Sequence, residues 1–246
     1  MLPHALKNLS FVERFYSHPV LSSTSDTARS LSEFPQEGLY VIQADRQTAG
    51  RGRSGAAFFS NVEGGLWASI VTPVGSMDEH FIHNRALSVG LCQAVEASCG
   101  HPGACTIKWP NDIYWSGRKL CGILLENHSC RQNMLIIGFG INVNLSMNDF
   151  PQELRSIATS VLIETGRRLS LSQLLNETIL QYHANLTLIA DDIHRTYTGR
   201  LYGLGRAVEV DGHKGIFEGV EPDGRLRLNK KQDVVYIMSG HLNFLS

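Results

Sequence analysis

The sequence has almost no excess charge of either sign: 22 lysines and arginines against 23 aspartates and glutamates leave a net charge of −1. That balance gives nothing to hold the chain in bulk on nucleic acid or on an anionic membrane, so neither is expected as a partner, although local basic clusters remain open. Long apolar runs are also lacking. No stretch approaches the ~18 residues of a membrane span, and Met1 to Ser10 shows no charged segment followed by an apolar one, the pattern of a signal peptide. Motif-spaced cysteines are absent. Cys92, Cys99, Cys105, Cys121 and Cys130 are odd in number, have no C-x-x-C spacing and fall mostly in apolar segments. They read as buried reduced thiols of a cytoplasmic protein. His80, His83 and Cys92 lack metal-ligand spacing. No G-x-x-x-x-G-K-[ST] phosphate loop occurs, and no internal repeats or low-complexity tracts are present.

What remains is an ordinary globular composition, 43% hydrophobic and 18% charged over 246 residues. It suffices for one substantial core and a small second domain. The densest local feature is Gln47 to Ser60, QTAGRGRSGAAFFS, where Gly50, Gly52, Gly55, Arg51 and Arg53 fall within six residues. Glycine lets backbone N–H groups approach a ligand closely, and guanidinium forks supply charge-assisted contacts to phosphate or carboxylate. A solvated turn with two surface arginines explains the same letters, and both readings stand at this point. The run also spells G-x-G-x-x-G. Its context rejects a dinucleotide fold: a strand at Leu39 to Ala44 precedes it, but the following AAFFSNVEGGLWASIV is broken by Asn61, Gly64 and Gly65 and runs into another strand. Ile70 stands where an acidic ribose partner is required. The loop therefore joins two strands, and an anion in it would be held by arginine side chains as much as by helix-end amides.

Along the chain, Phe11 to Tyr16 reads as a short strand. Ser23, Thr24, Ser25 and Asp26 precede a helical pattern through Ala28, Leu31 and Phe34; one of them caps, and the surplus hydroxyls are free to face a small polar ligand. Leu66 to Pro73 alternates as a strand, and Ser76 to Glu79 reads as the capping box of a core helix ending near Gly100. ACTIKWPNDIYWSGRKLCGILLEN gives two strand-like runs about a Ser116-Gly117 turn. Within it, turn chemistry accounts for Asn111 and Asp112, but Lys108, between Ile107 and Trp109, must either snorkel or meet an anion. Lys119 reads as edge-strand protection. MLIIGFGINVNL is apolar enough for a central strand, Gly138 and Gly140 allow close approach, and Asn142 and Asn144 mark its polar end. Phe150 to Leu154 and Ala158 to Thr165 read as short helices. A second capping box, Ser170 to Gln173, opens one helix whose apolar stripe runs from Leu171 to Ile193. After a break at Leu201 to Gly205, short β runs with Asp211-Gly212 and Asp223-Gly224 turns give the pattern of a small β-barrel.

Taken in order, SST with a following TA at Ser23 to Ala28, QTAGRGRSG at Gln47 to Gly55, KWPNDIY at Lys108 to Tyr114, KLCGILLE at Lys119 to Glu126 and IIGFGINVN at Ile136 to Asn144 resemble the catalytic part of biotin protein ligases. These enzymes make biotinyl-5′-AMP and pass biotin to a lysine of a biotin carboxyl carrier protein or domain. The resemblance spans nearly the whole chain and rests on the combination of motifs rather than on any one. It implies an α+β fold with a mixed, largely antiparallel sheet against which helices pack. A catalytic domain over residues 1–203 would be followed by a small SH3-like β-barrel over 204–246. It further implies ATP, biotin and Mg²⁺ as ligands, a carrier protein as partner, and a monomer or weak homodimer in the cytoplasm. Repressor members carry an N-terminal winged-helix domain; about twenty residues precede Ser23 here, so no operator-binding domain is expected.

Residue by residue, the resemblance implies that Ser23, Thr24, Ser25 and Gln47 meet the biotin ureido end. Arg51, Gly52 and Arg53 would enclose carboxylate and phosphate, with Lys108 at the reacting carboxyl. Gly50, Arg53, Phe58 and Asn142 would serve the adenylate, and Asp112 would orient or deprotonate the acceptor lysine, against its turn reading. The chain departs from the family pattern at three positions: Ser25 stands where asparagine is usual, Phe58 where tryptophan is common, and Ser54 where some members have a basic residue. The chemistry suits these residue types. A carboxylate attacking the α-phosphorus brings two anions together, so fixed cations are the main catalytic device and no protein nucleophile is required. A lipoate or octanoate transferase of the same fold and a non-catalytic biotin or adenylate sensor remain as alternatives. Hydroxyls beside the Gly/Arg loop favour a ureido ring over an alkyl chain, and the retained cations favour turnover.

Overall fold

The computed structural model describes residues 9–76, 79–128, 131–231 and 233–245. Strands β1 (Val12–Leu21), β2 (Leu39–Gln47), β3 (Leu66–Pro73), β4 (Cys105–Lys108), β5 (Asp112–Trp115), β6 (Arg118–His128) and β7 (Arg131–Ile141) form one sheet in the order β1-β2-β3-β7-β6-β5-β4. Only β1 and β2 run parallel; every other neighbouring pair is antiparallel. The first strand extends five residues past the expected Tyr16. It can do so because it lies at the sheet edge, where Pro19 removes no ladder bond that an interior strand would need.

Alternation sorts the two faces of the sheet. Leu66, Ala68 and Ile70 of β3 and Leu135, Ile137, Phe139 and Ile141 of β7 join helices α2 (His80–Cys99) and α4 (Leu171–Leu186) in the main core. Close packing there requires Gly90, since a Cβ at that position would lie 2.9 Å from the Tyr182 amide nitrogen. On the opposite face, Tyr40, Ile42, Val71 and Ile136 pack with Ala28 of the short helix α1 (Thr24–Arg29) and with Phe34. The same face carries Ser69, Gly138 and Gly140, where side chains are small or missing. That gap becomes the cleft.

One helix expectation falls outside the described residues and another changes. The capping box at Ser76 to Glu79 runs through Met77 and Asp78, which lie outside the described residues, and the Glu79 carboxylate accepts the Gly75 N–H at 3.1 Å. The single helix expected from Leu171 to Ile193 is two: α4 ends at Leu186 and α5 spans Ala190–Thr198, with α3 (Val161–Thr165) preceding both. Thr187 closes α4 by donating from Oγ1 to Ala184 O at 2.8 Å, and Ile189 leaves helical geometry at ψ 137. The apolar period survives the break because Ile179, Tyr182, Ile193 and Tyr197 all enter one core. Leu188 and Ile189, exposed at the corner, show where the stripe fails.

The terminal strands β8 (Ala207–Val210), β9 (His213–Val220), β10 (Leu226–Lys230), β11 (Asp233–Ile237) and β12 (Leu242–Phe244) form an antiparallel sheet in the order β11-β10-β9-β8-β12. The Asp211-Gly212 turn has both φ values positive, 46° and 83°, as the two-residue hairpin demands. Among the described residues no ladder joins β11 to β12, so the α+β architecture holds while the terminal sheet stays open instead of closing as a barrel. Its inner residues, including Val208, Phe217 and Leu228, belong to the main core. The connection leading into it is stitched to β4 by Ile107 N–H to Arg200 O at 2.7 Å and Tyr202 N–H to Ile107 O at 2.8 Å, and the sheet itself is tied by Trp109 Nε1–H to Gly224 O at 3.0 Å. Lys108 sits between two of these anchored residues.

Candidate active site

A cleft of about 200 Å³ opens between α1, the Gly/Arg loop, the small-residue face of β6 and β7, the β4–β5 turn and residues Gly240 to Asn243 of the terminal sheet. One end is a buried polar network. Gln47 Oε1 accepts from Thr24 N–H at 2.8 Å and from Thr24 Oγ1 at 3.1 Å, while Gln47 Nε2 donates to Ser60 Oγ at 3.1 Å. Ser69 Oγ donates to Thr24 Oγ1 at 2.7 Å, which leaves Ser25 Oγ, 3.1 Å away, to donate to Ser69. Ser23 Oγ accepts from Asp26 N–H and caps α1. This proton ordering leaves one Gln47 N–H, the Ser23 hydroxyl hydrogen and the Ser25 lone pairs for a ligand. Gly138 admits Ser25, since a Cβ there would stand 2.7 Å from its Oγ.

The other end is cationic. Arg51 Nη2 pairs with Asp26 at 2.8 Å and Glu126 at 3.5 Å, and Arg29 shares the same two carboxylates. The loop folds back on itself through Gly52 N–H to Ala56 O at 2.7 Å, with Ser54 in the left-handed region at φ 53°. Arg53 Nη1 donates to Gly240 O at 3.2 Å and to Asn111 Oδ1 at 3.4 Å. Lys108 Nζ donates to Tyr114 Oη at 3.4 Å. Burial lowers the Lys108 pKa and neighbouring Lys119 lowers it further, against support from Asp112. Burial likewise pushes Tyr114 up to about 12, so its hydroxyl stays protonated at neutral pH.

Phe58 lies on the glycine floor: a Cβ on Gly140 would meet its ring at 2.5 Å and one on Gly122 at 3.0 Å. Its edge meets Trp67 at a centroid distance of 5.9 Å. Lys119 Nζ stands 5.8 Å from the Phe58 ring centroid and pairs with Asp112 at 2.8 Å. The edge-protection reading of Lys119 is therefore corrected. β6 is an interior strand, and the residue lines the cleft. Its direction comes from a bulge, since Ile113 pairs with Cys121 but Tyr114 pairs with Lys119, leaving Leu120 as the extra residue. Strict alternation would have sent Lys119 into the core with Cys121 and Ile123.

The cleft thus brings together Ser23, Thr24, Ser25, Gln47, Arg51, Gly52, Arg53, Phe58, Lys108 and Asp112. Two expected residues are not among its lining. Gly50 is required inside the loop, because a Cβ there would fall 2.1 Å from Ser60 Oγ. Asn142 donates from Nδ2 to Thr159 O at 2.9 Å and holds the segment before α3. Besides Lys119, the sequence reading missed Ser69 and Ser60, whose roles appear only when β2, β3 and the loop are stacked. Gly122, three residues on in an otherwise apolar strand, was the one available signal for Lys119.

Residues 17–144 match the biotin/lipoate A/B protein ligase family. The bifunctional ligase/repressor BirA of Bacillus subtilis (strain 168) is 32% identical over 237 residues, covering 92% of this chain and 72% of that protein. The biotin--[acetyl-CoA-carboxylase] ligase of Mycobacterium tuberculosis is 32% identical over 227 residues, 87% of this chain and 81% of its own length. The fold agrees with the biotin protein ligase from Aquifex aeolicus in complex with biotin and ATP, at a TM-score of 0.81 and 24% identity over 95% of this chain and 99% of that one. A family match over more than half of the chain and relatives at 32% identity over most of their length mean that this chain belongs to the biotin/lipoate A/B protein ligase family and is a ligase.

Proposed function

We propose that the protein is an ATP-dependent biotin protein ligase: it activates biotin as biotinyl-5′-AMP and passes it to a specific lysine of a biotin carboxyl carrier protein or domain. One observation carries this reading. A closed hydrogen-bonding end built on Thr24, Ser25 and Gln47 faces, across one small cleft, the cations Arg51, Arg53, Lys108 and Lys119. A ureido group suits the first end. A carboxylate and an α-phosphate together need the second. The carboxylate oxygen would bond to phosphorus as pyrophosphate leaves, with the cations offsetting charge on the equatorial oxygens. In the second step the acceptor amine nitrogen bonds to the acyl carbon and AMP departs. Asp112, at the cleft wall beside Lys119, is suited to orient that amine and take its proton.

Phe58 on its glycine floor offers an aromatic surface for adenine. Mg²⁺ would travel with the phosphates of ATP. Among the described residues no group of three or more His, Cys, Asp or Glu side chains can hold a metal, and an ion of this kind takes substrate phosphates and water as most of its ligands. We divide the chain into a catalytic domain, residues 1–203, and a terminal module, 204–246, that supports the cleft through Gly240 to Asn243. The test is incubation with biotin, Mg²⁺-ATP and an apo carrier domain, with lipoate in a parallel arm. A biotin mass increment on one carrier lysine is expected. No increment from the folded protein overturns the reading, and an increment with lipoate alone reassigns the substrate.

A further inference from the structure

The placement of Lys108 raises a question that its own strand does not answer. Among the described residues its ammonium pairs with no carboxylate, since the nearby Asp112 is taken by Lys119 at 2.8 Å. What surrounds it is aromatic. The Tyr114 ring lies 5.3 Å from Nζ and the Phe244 ring 5.9 Å. Tyr202 stacks on Tyr114 at 5.4 Å and meets Phe244 edge-on at 5.2 Å, and Arg206 covers Phe244 from 4.3 Å. These rings come from three places: β5, the connection after α5, and the last strand of the terminal sheet.

Phe244 is itself held firmly. Its residue pairs with Val208 in the β12–β8 ladder, Leu245 N–H donates to Ala207 O at 3.0 Å, and a Cβ on Gly203 would collide with its ring at 2.2 Å. The ring is thus a fixed wall, whereas Lys108 is a flexible four-carbon stem carrying a charge that burial opposes. An aromatic face stabilises a nearby ammonium by ~0.5–2 kcal/mol, so a fixed ring both supports the charge and limits where it can go.

We infer that Phe244 is a positioning residue for Lys108: the terminal sheet, with Tyr114 and Tyr202, holds the Lys108 ammonium charged and aimed into the cleft for the adenylation step. The inference rests on the proposed ligase reading for its chemistry, but not for its geometry. Besides the rings, the charged groups acting on Lys108 are Asp112 and Lys119, while Tyr202 lies against Tyr114 and the Arg206 guanidinium lies on the Phe244 ring.

The test uses the full chain with Phe244→Leu, Phe244→Trp, Lys108→Gln and the double variant Lys108→Gln/Phe244→Leu, all checked for parental thermal unfolding. Competitive amine labelling across pH, read by mass spectrometry at Lys108, gives the titration of that side chain without substrates. Phe244→Leu is expected to lower the Lys108 midpoint by roughly half a unit, with Phe244→Trp restoring it. Single-turnover formation of biotinyl-AMP should slow about 3- to 10-fold in Phe244→Leu with biotin affinity within twofold of the parent, and the double variant should be no slower than Lys108→Gln. An unchanged Lys108 titration in Phe244→Leu, or a Phe244→Leu defect that persists in full on the Lys108→Gln background, overturns the inference. Failure of the parent protein to form biotinyl-AMP overturns the ligase reading instead, and the labelling still decides the position of Lys108.

Discussion

At the polar end of the cleft the hydrogen-bonding side chains already bond one another, whereas at the cationic end the charges are held by partners that a ligand can replace. Thr24, Gln47, Ser60 and Ser69 are linked by bonds of 2.7–3.1 Å in a fixed proton order. Arg51 instead rests on Asp26 and Glu126, Arg53 on a backbone carbonyl of the terminal sheet, and Lys119 on Asp112. These ion pairs involve partly exposed groups, where net stabilisation is small. A preorganised neutral network suits recognition of a neutral, directional group. Charges on exchangeable partners suit a reaction in which new negative charge appears and then leaves.

The comparison breaks most visibly at the lysines. Lys119→Gln removes a cation that faces both the Phe58 surface and Asp112, and adenylation is expected to slow by roughly 10³-fold. Lys108→Gln, a change at the cleft's aromatic wall, is expected to slow it by about 10²-fold, in line with the loss of one preorganised electrostatic contact. Biotin binding should change little in either case, and single-turnover biotinyl-AMP formation alongside calorimetric biotin titration separates the two effects. A Lys119→Gln enzyme as fast as the parent removes that lysine from the chemistry.

Arg53→Gly tests whether the charged end also retains the intermediate. One charge-assisted fork contributes ~1.5–3 kcal/mol, or about 10- to 150-fold in dissociation. Bound biotinyl-AMP should therefore be released that much sooner, as measured by displacement. Because Arg53 also binds Gly240 O, the variant loosens the terminal sheet against the loop, and the acceptor step should slow with it. Gln47→Leu probes the opposite end. It strands the Thr24 and Ser60 partners and should weaken biotin binding by about 10-fold, a cost of ~1–3 kcal/mol for unsatisfied buried groups. The rate at saturating biotin should stay near the parent value. Equal loss of rate and affinity would dissolve the proposed division between the ends.

Much of this arrangement was legible in the letters. The strand at Leu66 to Pro73 has the bounds read from its alternation, and the Gly/Arg loop does join two strands. What stayed hidden has physical reasons. Lys119 is re-aimed by one extra residue in β6, which no period-2 reading can see. Asn142 reads as a polar strand end, and the bond from its Nδ2 to a carbonyl seventeen residues on is visible only in three dimensions. The α4–α5 corner escaped because two helices that bury against one core keep one apolar period across the break. The terminal segment reads in sequence only as a small β-barrel pattern with its Asp-Gly pairs in turns. Its contributions are the Gly240 carbonyl on Arg53 and the Phe244 ring near Lys108, neither of which forms a charge cluster in sequence.

The smallest expected effect has the opposite sign to the rest. Lys108 is charged in the unfolded chain up to its ordinary value near 10.5, whereas burial lowers its pKa in the fold. Between the folded and unfolded values the unfolded state binds more protons, so stability rises with pH in that window. Below it, at neutral pH, the fold carries the cost of a partly desolvated ammonium. Lys108→Met removes that cost and fills the space beside Tyr114 and Phe244 with an apolar chain. The net gain is expected to be within about 1 kcal/mol, a Tm rise of roughly 2–4 °C for a chain of this size, even as adenylation falls. The difference between variant and parent should narrow as pH rises through the lowered Lys108 value, because the parent then loses its charge too. Thermal unfolding at neutral and alkaline pH measures both quantities; a variant less stable than the parent at neutral pH would mean that the aromatic wall repays the full desolvation of Lys108.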